Sequence, residues 1–126
     1  RIVVLRPQFS GTARRREAAA GFAERVGMPF DYHFDNATPE VLYCLELIAQ
    51  VLPEMELPVR TMYRRQTILP DDVVAEAAVQ RSKLKLVGYF RGAPDTWALA
   101  DRAALITDLS DWWQRARLRR ASATGA

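Results

Sequence analysis

The chain has 126 residues, 49% of them hydrophobic and 26% charged, with 18 Lys and Arg against 15 Asp and Glu. That is enough for one domain of ordinary size, and it excludes wholesale disorder, a collagen-like repeat and a disulfide scaffold. The single cysteine, Cys44, cannot form an internal disulfide, and no apolar run escapes interruption by Arg, Glu, Asp or Pro for the length of a bilayer.

The net charge of +3 is carried almost wholly by arginine, since Lys83 and Lys85 are the only lysines. Arginines gather at 14–16, at 60, 64 and 65, and at 115, 117, 119 and 120, each group interleaved with or followed by acids or apolar residues. This is the pattern of solvated helix faces, and no nucleic-acid module accompanies it, so no specific nucleic-acid partner is expected. The opening Arg1-Ile2-Val3-Val4-Leu5 lacks the layout of a secretory leader. It reads as a strand entered in mid-domain, as in a piece of a longer protein.

In chain order, residues 2–6 are rich in β-branched side chains and closed by Pro7, which predicts a buried strand. A turn with Gly11 follows, then a helix over 13–26 with Thr12 as N-cap and Gly27 as its C-terminal stop. Over 27–35 the aromatics Phe30, Tyr32 and Phe34 alternate with Asp31, His33 and Asp35, predicting an extended segment with an apolar face and a polar one. Asn36 or Thr38 then caps a helix bearing Val41, Leu42, Leu45, Ile48, Ala49 and Leu52, ending before Pro53. Residues 54–58 read as loop and 59–69 as weakly strand-like. Pro70-Asp71-Asp72 opens a short helix to about Gln80. A strand over 84–90, interrupted by Gly88, precedes a long amphipathic helix over 96–120 with Leu99, Ala103, Ile106, Leu109, Trp113 and Ala116 on one stripe. The last residues, 122–126, are expected to fray.

Chemistry concentrates on Cys44, which this reading places within the first residues of its helix, or at the first if the helix starts near Leu42. Free N–H groups and the positive end of the dipole there favour a thiolate and can receive charge developing on a carbonyl oxygen. Burial as a small apolar side chain is the alternative. His33 is the only histidine and hence a weak candidate base. Asp31 and Asp35 suit bracing of the turn better than acid catalysis. Glu46 lies about 200° around the helix from the thiol and is expected to pair with an arginine. Tyr43 lines a cleft or joins the core. One Cys, one His and scattered glycines give neither a metal site nor a phosphate loop, so no cofactor is expected. Trp112 and Trp113 cannot both face inward, which leaves one as a surface for a partner.

Gly27-Met28-Pro29-Phe30-Asp31-Tyr32-His33-Phe34-Asp35, followed by Leu42-Tyr43-Cys44-Leu45-Glu46-Leu47, resembles the signature of the permuted papain-like hydrolases of the NlpC type, the YiiX/YebB-like group. There a Gly-x-Pro-[Tyr/Phe]-Asp-x-x-Phe-Asp segment leads into Tyr-Cys-[Ser/Thr]-Glu-Leu. Val4-Leu5-Arg6-Pro7, Ile68-Leu69-Pro70-Asp71-Asp72-Val73 and Lys83-Leu84-Lys85-Leu86-Val87 resemble its flanking strand, its Pro-Asp-Asp turn and the strand after it, so the likeness covers about residues 2–90. Leu45 departs from the usual Ser or Thr.

The resemblance implies an α+β fold, papain-like in circularly permuted order. The nucleophile would stand at a helix N-terminus packed on an antiparallel sheet, with the long C-terminal helix appended. Residues 1–95 would be the Cys-bearing half, 96–121 the helix and 122–126 the tail. It implies Cys44 as the nucleophile of a cysteine hydrolase or acyltransferase on amide bonds, peptide or lipid-type. Tyr43 and Leu45 would be its cleft or oxyanion neighbours, and the substrate would contain an amide or ester. The family's catalytic His belongs upstream of Val4, so an N-terminal portion of the same protein would supply it. The alternative is a non-catalytic binding module on the same scaffold, lacking the base.

Overall fold

The computed structural model describes residues 1–38 and 40–110, which form an α+β structure of helices, a three-stranded antiparallel sheet and a separate hairpin. The chain groups into two compact units, Gln8–Pro70 and a discontinuous one of Arg1–Pro7 with the chain from Asp71 onward.

The discontinuous unit is built on strand β4 (Leu84–Ala93), flanked by β1 (Ile2–Pro7) and β5 (Thr96–Ala100), both antiparallel to it. The strand forms where expected but is not buried: along β1 Val3, Leu5 and Pro7 are partly covered while Ile2, Val4 and Arg6 are exposed, because only one of its faces is packed. The partner strand cannot keep one parity. Val4 pairs with Gly88 and Leu5 with Leu86, which leaves Val87 as an extra residue in a β-bulge. Inward positions therefore pass from Leu84 and Leu86 before the bulge to Tyr89 after it. Gly88 sits at this bulge, where a Cβ would meet the Phe90 ring at 3.3 Å.

Helices α3 (Pro70–Ala78) and α4 (Arg102–Leu109) belong to the same sequence region. Ala78, Tyr89 and Leu105 form the buried centre, with Val3, Val74, Leu86, Ala100 and Ile106 packed against it. Tyr89 carries a hydroxyl into that centre, and it donates to Asp108. Arg91 closes a two-pronged bond on the same carboxylate, with Nε and Nη2 each at 2.8 Å, and Arg1 Nε lies at 3.9 Å. The hydrogen bonds from Arg91 and then Tyr89 hold the Asp108 carboxyl down at about 2.

The predicted long helix over 96–120 is not what forms in the described region. Thr96–Ala100 is a strand paired to β4, from Ala93 opposite Thr96 to Tyr89 opposite Ala100. The helix starts only at Arg102, where the Asp101 side chain accepts the Ala104 N–H at 2.8 Å. Leu99, counted into the helical stripe, is 72% exposed on the strand. A short apolar run fits either period, and the turn at Pro94 and Asp95 decides for the hairpin. The remainder of that helix, with Trp113, Ala116 and the terminal arginines, lies outside the described residues, as does the tail.

In the other unit, α1 spans Thr12–Ala23, so it ends three residues before the predicted 26. Its N-cap is Gly11, and Thr12 is already helical with no side-chain cap. Residues 24–26 continue as turns to Gly27, whose φ of +91° suits glycine. Helix α2 (Cys44–Val51) contacts α1 at Gly21, where a Cβ would meet the Val51 side chain at 3.2 Å. Arg14 of α1 donates to the Val51 carbonyl at the end of α2 at 2.6 Å and grips Glu54 at 2.8 and 3.0 Å. Its cation thus meets the negative end of that helix. Pro53–Met55 forms a single 3₁₀ turn.

The weakly strand-like 59–69 resolves into a hairpin of β2 (Arg60–Met62) and β3 (Arg65–Thr67). Its two-residue turn places Tyr63 and Arg64 at φ +49° and +66°, the left-handed conformation of a type I′ turn that ordinarily carries Asn-Gly. Two bulky residues are strained there. Replacing them together, Tyr63→Asn with Arg64→Gly, is expected to raise unfolding stability by about 1 kcal/mol, read from urea denaturation.

The Asp108 cluster generates a second expectation. A carboxyl held below its ordinary value adds stability that is present above pH about 4 and lost as the pH falls toward about 2. Asp108→Asn should flatten that part of the stability–pH curve, measured by thermal unfolding between pH 5 and 2, while wild type keeps the slope.

Candidate functional site

The two halves of the family-like signature, residues 27–35 and 42–47, stand close together in sequence, and backbone hydrogen bonds join them. Phe30 bridges Leu42 in parallel fashion, the Asp31 N–H donates to the Leu42 carbonyl and the Leu42 N–H to the Pro29 carbonyl, each at 3.0 Å. This pairing keeps Leu42 extended, and α2 therefore starts at Cys44 rather than at Asn36 or Thr38. Val41 and Leu42 are not helical, although Leu42 is buried.

Asp31 and its neighbours do not adopt the predicted extended, alternating arrangement. The chain turns at Tyr32 and His33, Phe34 takes φ +51°, and the polarity is inverted: Asp31 is 2% exposed while Phe30, Tyr32 and Phe34 are exposed. Hydrogen bonding explains the inversion. The Asp31 carboxylate accepts the His33 N–H on Oδ1 and the Asp35 N–H on Oδ2, both at 2.7 Å, and so braces the turn as the sequence led us to expect. Burial raises its pKa, but the N–H groups of Asp35, His33 and Phe34 outweigh it, and the net shift is downward.

Tyr43 is buried at 2% exposure and is the N-cap residue of α2. Its hydroxyl donates to Asn36 Oδ1 and accepts the Ile68 N–H at 2.8 Å, while its ring tilts against Phe34 at 5.5 Å. Of its two expected placements, cleft wall or core, it takes the core. Burial raises its phenol pKa above the ordinary value.

Cys44 follows as the first residue of α2, and it is exposed. Tyr43 makes no side-chain cap bond, so first-turn N–H groups, those of Cys44 and Leu45 among them, take no acceptor from it. The Leu45 side chain is buried, leaving its backbone N–H as the group it can offer to an oxyanion.

Glu46 is not paired with an arginine among the described residues. It is 3% exposed, Gln50 Nε2 approaches Oε1 at 3.4 Å, and Oε2 has no hydrogen-bond partner. Burial raises its pKa, and the charges of Asp31 and Asp35 add to the rise against the opposing Tyr43 N–H and Gln50. The arginine expected there is absent because position 46 faces inward on a short helix whose inner side also holds Leu45 and Val51.

His33 is exposed; its carbonyl accepts Arg65 Nη1 at 3.1 Å. His33 borders a cavity of about 220 Å³ together with Phe34 and residues of the β2–β3 hairpin, and Cys44 is not among the residues that line it. No hydrogen bond joins His33 to Cys44 among the described residues. Nor do those residues contain a group of three or more His, Cys, Asp or Glu able to hold a metal ion. Trp112 and Trp113 lie outside the described residues. No described helix is long and apolar enough to cross a membrane.

Comparison of the chain with protein-family models, with curated proteins and with solved structures finds no match.

Glu46 provides a direct test of this geometry. A carboxyl whose folded pKa is raised contributes stability that is complete below its unfolded value and is lost as pH rises through the folded one. Glu46→Gln should therefore stabilise the protein by about 1 kcal/mol at pH 7 and leave it unchanged near pH 4. Thermal melts of both proteins across that range would expose the difference, and equal gains at both ends would refute it.

Proposed function

We propose that the chain carries the thiol half of a papain-like acyl hydrolase or transferase, with Cys44 as nucleophile. The observation that carries this reading is the exposed Cys44 at the head of α2, set beside the Pro29–Leu42 and Asp31–Leu42 backbone bonds that unite both parts of the signature. In the proposed reaction Cys44 Sγ attacks the carbonyl carbon of an amide or ester while its proton passes to an imidazole. The Cys44 and Leu45 N–H groups face the resulting oxyanion. Collapse expels the amine or alcohol, which takes the proton back from the imidazolium. Water or another acceptor then attacks the thioester with the imidazole again as base, releasing the acyl product and restoring the thiol.

His33 is the only histidine of this sequence and makes no bond to Cys44. The base is accordingly assigned to another portion of the protein, as the resemblance implies. The same observation favours the second reading, a binding module on this scaffold without a base.

Acylation by an activated ester, followed by mass spectrometry of the intact protein, separates the two. The thiol reading expects one acyl group on Cys44, an adduct rate that climbs with added imidazole, and turnover in protein that includes the base-bearing portion. Cys44→Ala should reduce both to background with a stability change within about 0.5 kcal/mol, because the side chain is exposed. His33→Ala should leave them unchanged. Acylation spread over other residues, or a rate indifferent to imidazole, would hand the chain to the binding reading.

A further inference from the structure

The cavity beside His33 is a built feature of the Gln8–Pro70 unit and takes no part in the thiol chemistry. The register of the hairpin pairs Met62 with Arg65 and Arg60 with Thr67, so these side chains stand on one face, while Thr61 and Gln66 bond to each other on the opposite one. Met62, Arg65 and Thr67 of that face line the cavity with Tyr63, Leu69 and Phe34. Its volume, about 220 Å³, exceeds the roughly 150 Å³ cavity that takes up benzene and falls below the roughly 300 Å³ at which clefts for drug-sized ligands begin. A body of about one ring or a short branched chain fits it.

Two further observations mark the place. Phe34, Tyr63 and Arg64 all hold left-handed backbone at φ +51°, +49° and +66°; Phe34 borders the cavity half-exposed and Tyr63 stands at its open edge, 92% exposed. Strain in bulky residues persists where the surrounding structure enforces it, and binding sites are where it gathers. Arg65 is exposed and is one of the residues bordering the apolar walls, with Nη1 on the His33 carbonyl at 3.1 Å and no carboxylate paired to it among the described residues. A guanidinium's planar fork matches a planar carboxylate.

We propose that this cavity binds a small apolar-bodied carboxylate, its ring or branched chain among Phe34, Met62, Tyr63 and Leu69 and its carboxylate on Arg65. Calorimetric titration of the full chain with phenylacetate, and in parallel with the uncharged phenylacetamide, tests it. Saturable phenylacetate binding is expected, weakened about tenfold for the amide and for Arg65→Gln, the size of one charge-assisted hydrogen bond. Met62→Trp, which fills the cavity while leaving the rim cation in place, should abolish binding of both compounds. Circular dichroism of each variant establishes that it is folded. No saturation at millimolar phenylacetate, equal affinity for acid and amide, or binding unaffected by either substitution would overturn the proposal.

Discussion

Tyr43 is the residue on which the Gln8–Pro70 unit turns. Its backbone caps α2, its ring meets Phe34, and its hydroxyl is shared between Asn36 and the Ile68 N–H. One buried phenol thus ties the aromatic turn, the start of the helix and the chain beyond the hairpin to a common point. A phenylalanine would fill the same volume but strand the Ile68 N–H and the Asn36 amide oxygen, and orphaned polar groups in the interior are expensive. The exposure of Cys44 next to it follows from the same arrangement: with Tyr43, Leu45 and Glu46 all buried, the thiol is the member of this run left at the surface.

Asp31 and Glu46 show how closely matched environments produce opposite outcomes. Both carboxyls are almost wholly buried, at 2% and 3%, and each feels the burial that disfavours its charge. Asp31 sits inside a turn whose N–H groups converge on both its oxygens, and its pKa falls. Glu46 has only the Tyr43 N–H and a weak Gln50 amide contact to set against its burial and the charges of Asp31 and Asp35, and its pKa rises. Local donors, supplied by the fold of five consecutive residues, decide between the two.

Much of the fold was legible in the sequence because strong local signals agreed with the final pairing. The strand at residues 2–6, the Pro70-Asp71-Asp72 helix start and the strand around Gly88 all occur where the residues put them. The failures came where hydrogen bonding overruled the side-chain pattern. Aromatic alternation over 30–34 looked like a strand, but the Asp31 carboxylate satisfies its own neighbours' N–H groups and folds the segment back. Leu99, Ala103 and Ile106 have helical spacing, yet the first is claimed by the edge of β4. Of the candidate site, the position of Cys44 at a helix start could be read from Pro39 and the apolar run after it. The burial of Glu46 and the cavity by the hairpin could not. The latter needed the two-residue turn at Tyr63 and Arg64, and neither residue advertises the left-handed conformation it adopts.

The discontinuity of the sheet-bearing unit has a consequence for the order in which the protein is made. β1 leaves the ribosome well before its hydrogen-bonding partner β4, which begins only at Leu84, and Ile2 and Val4 stay exposed even in the finished sheet. Throughout the synthesis of Gln8–Pro70 β1 waits without β4, while that unit already holds the internal contacts it needs to condense. Closing β1 onto β4 spans the whole Gln8–Pro70 unit and carries a loop-closure cost, because those residues must be gathered before the first ladder bond forms. Nascent chains arrested before Leu84 should accordingly be the ones a holding chaperone meets.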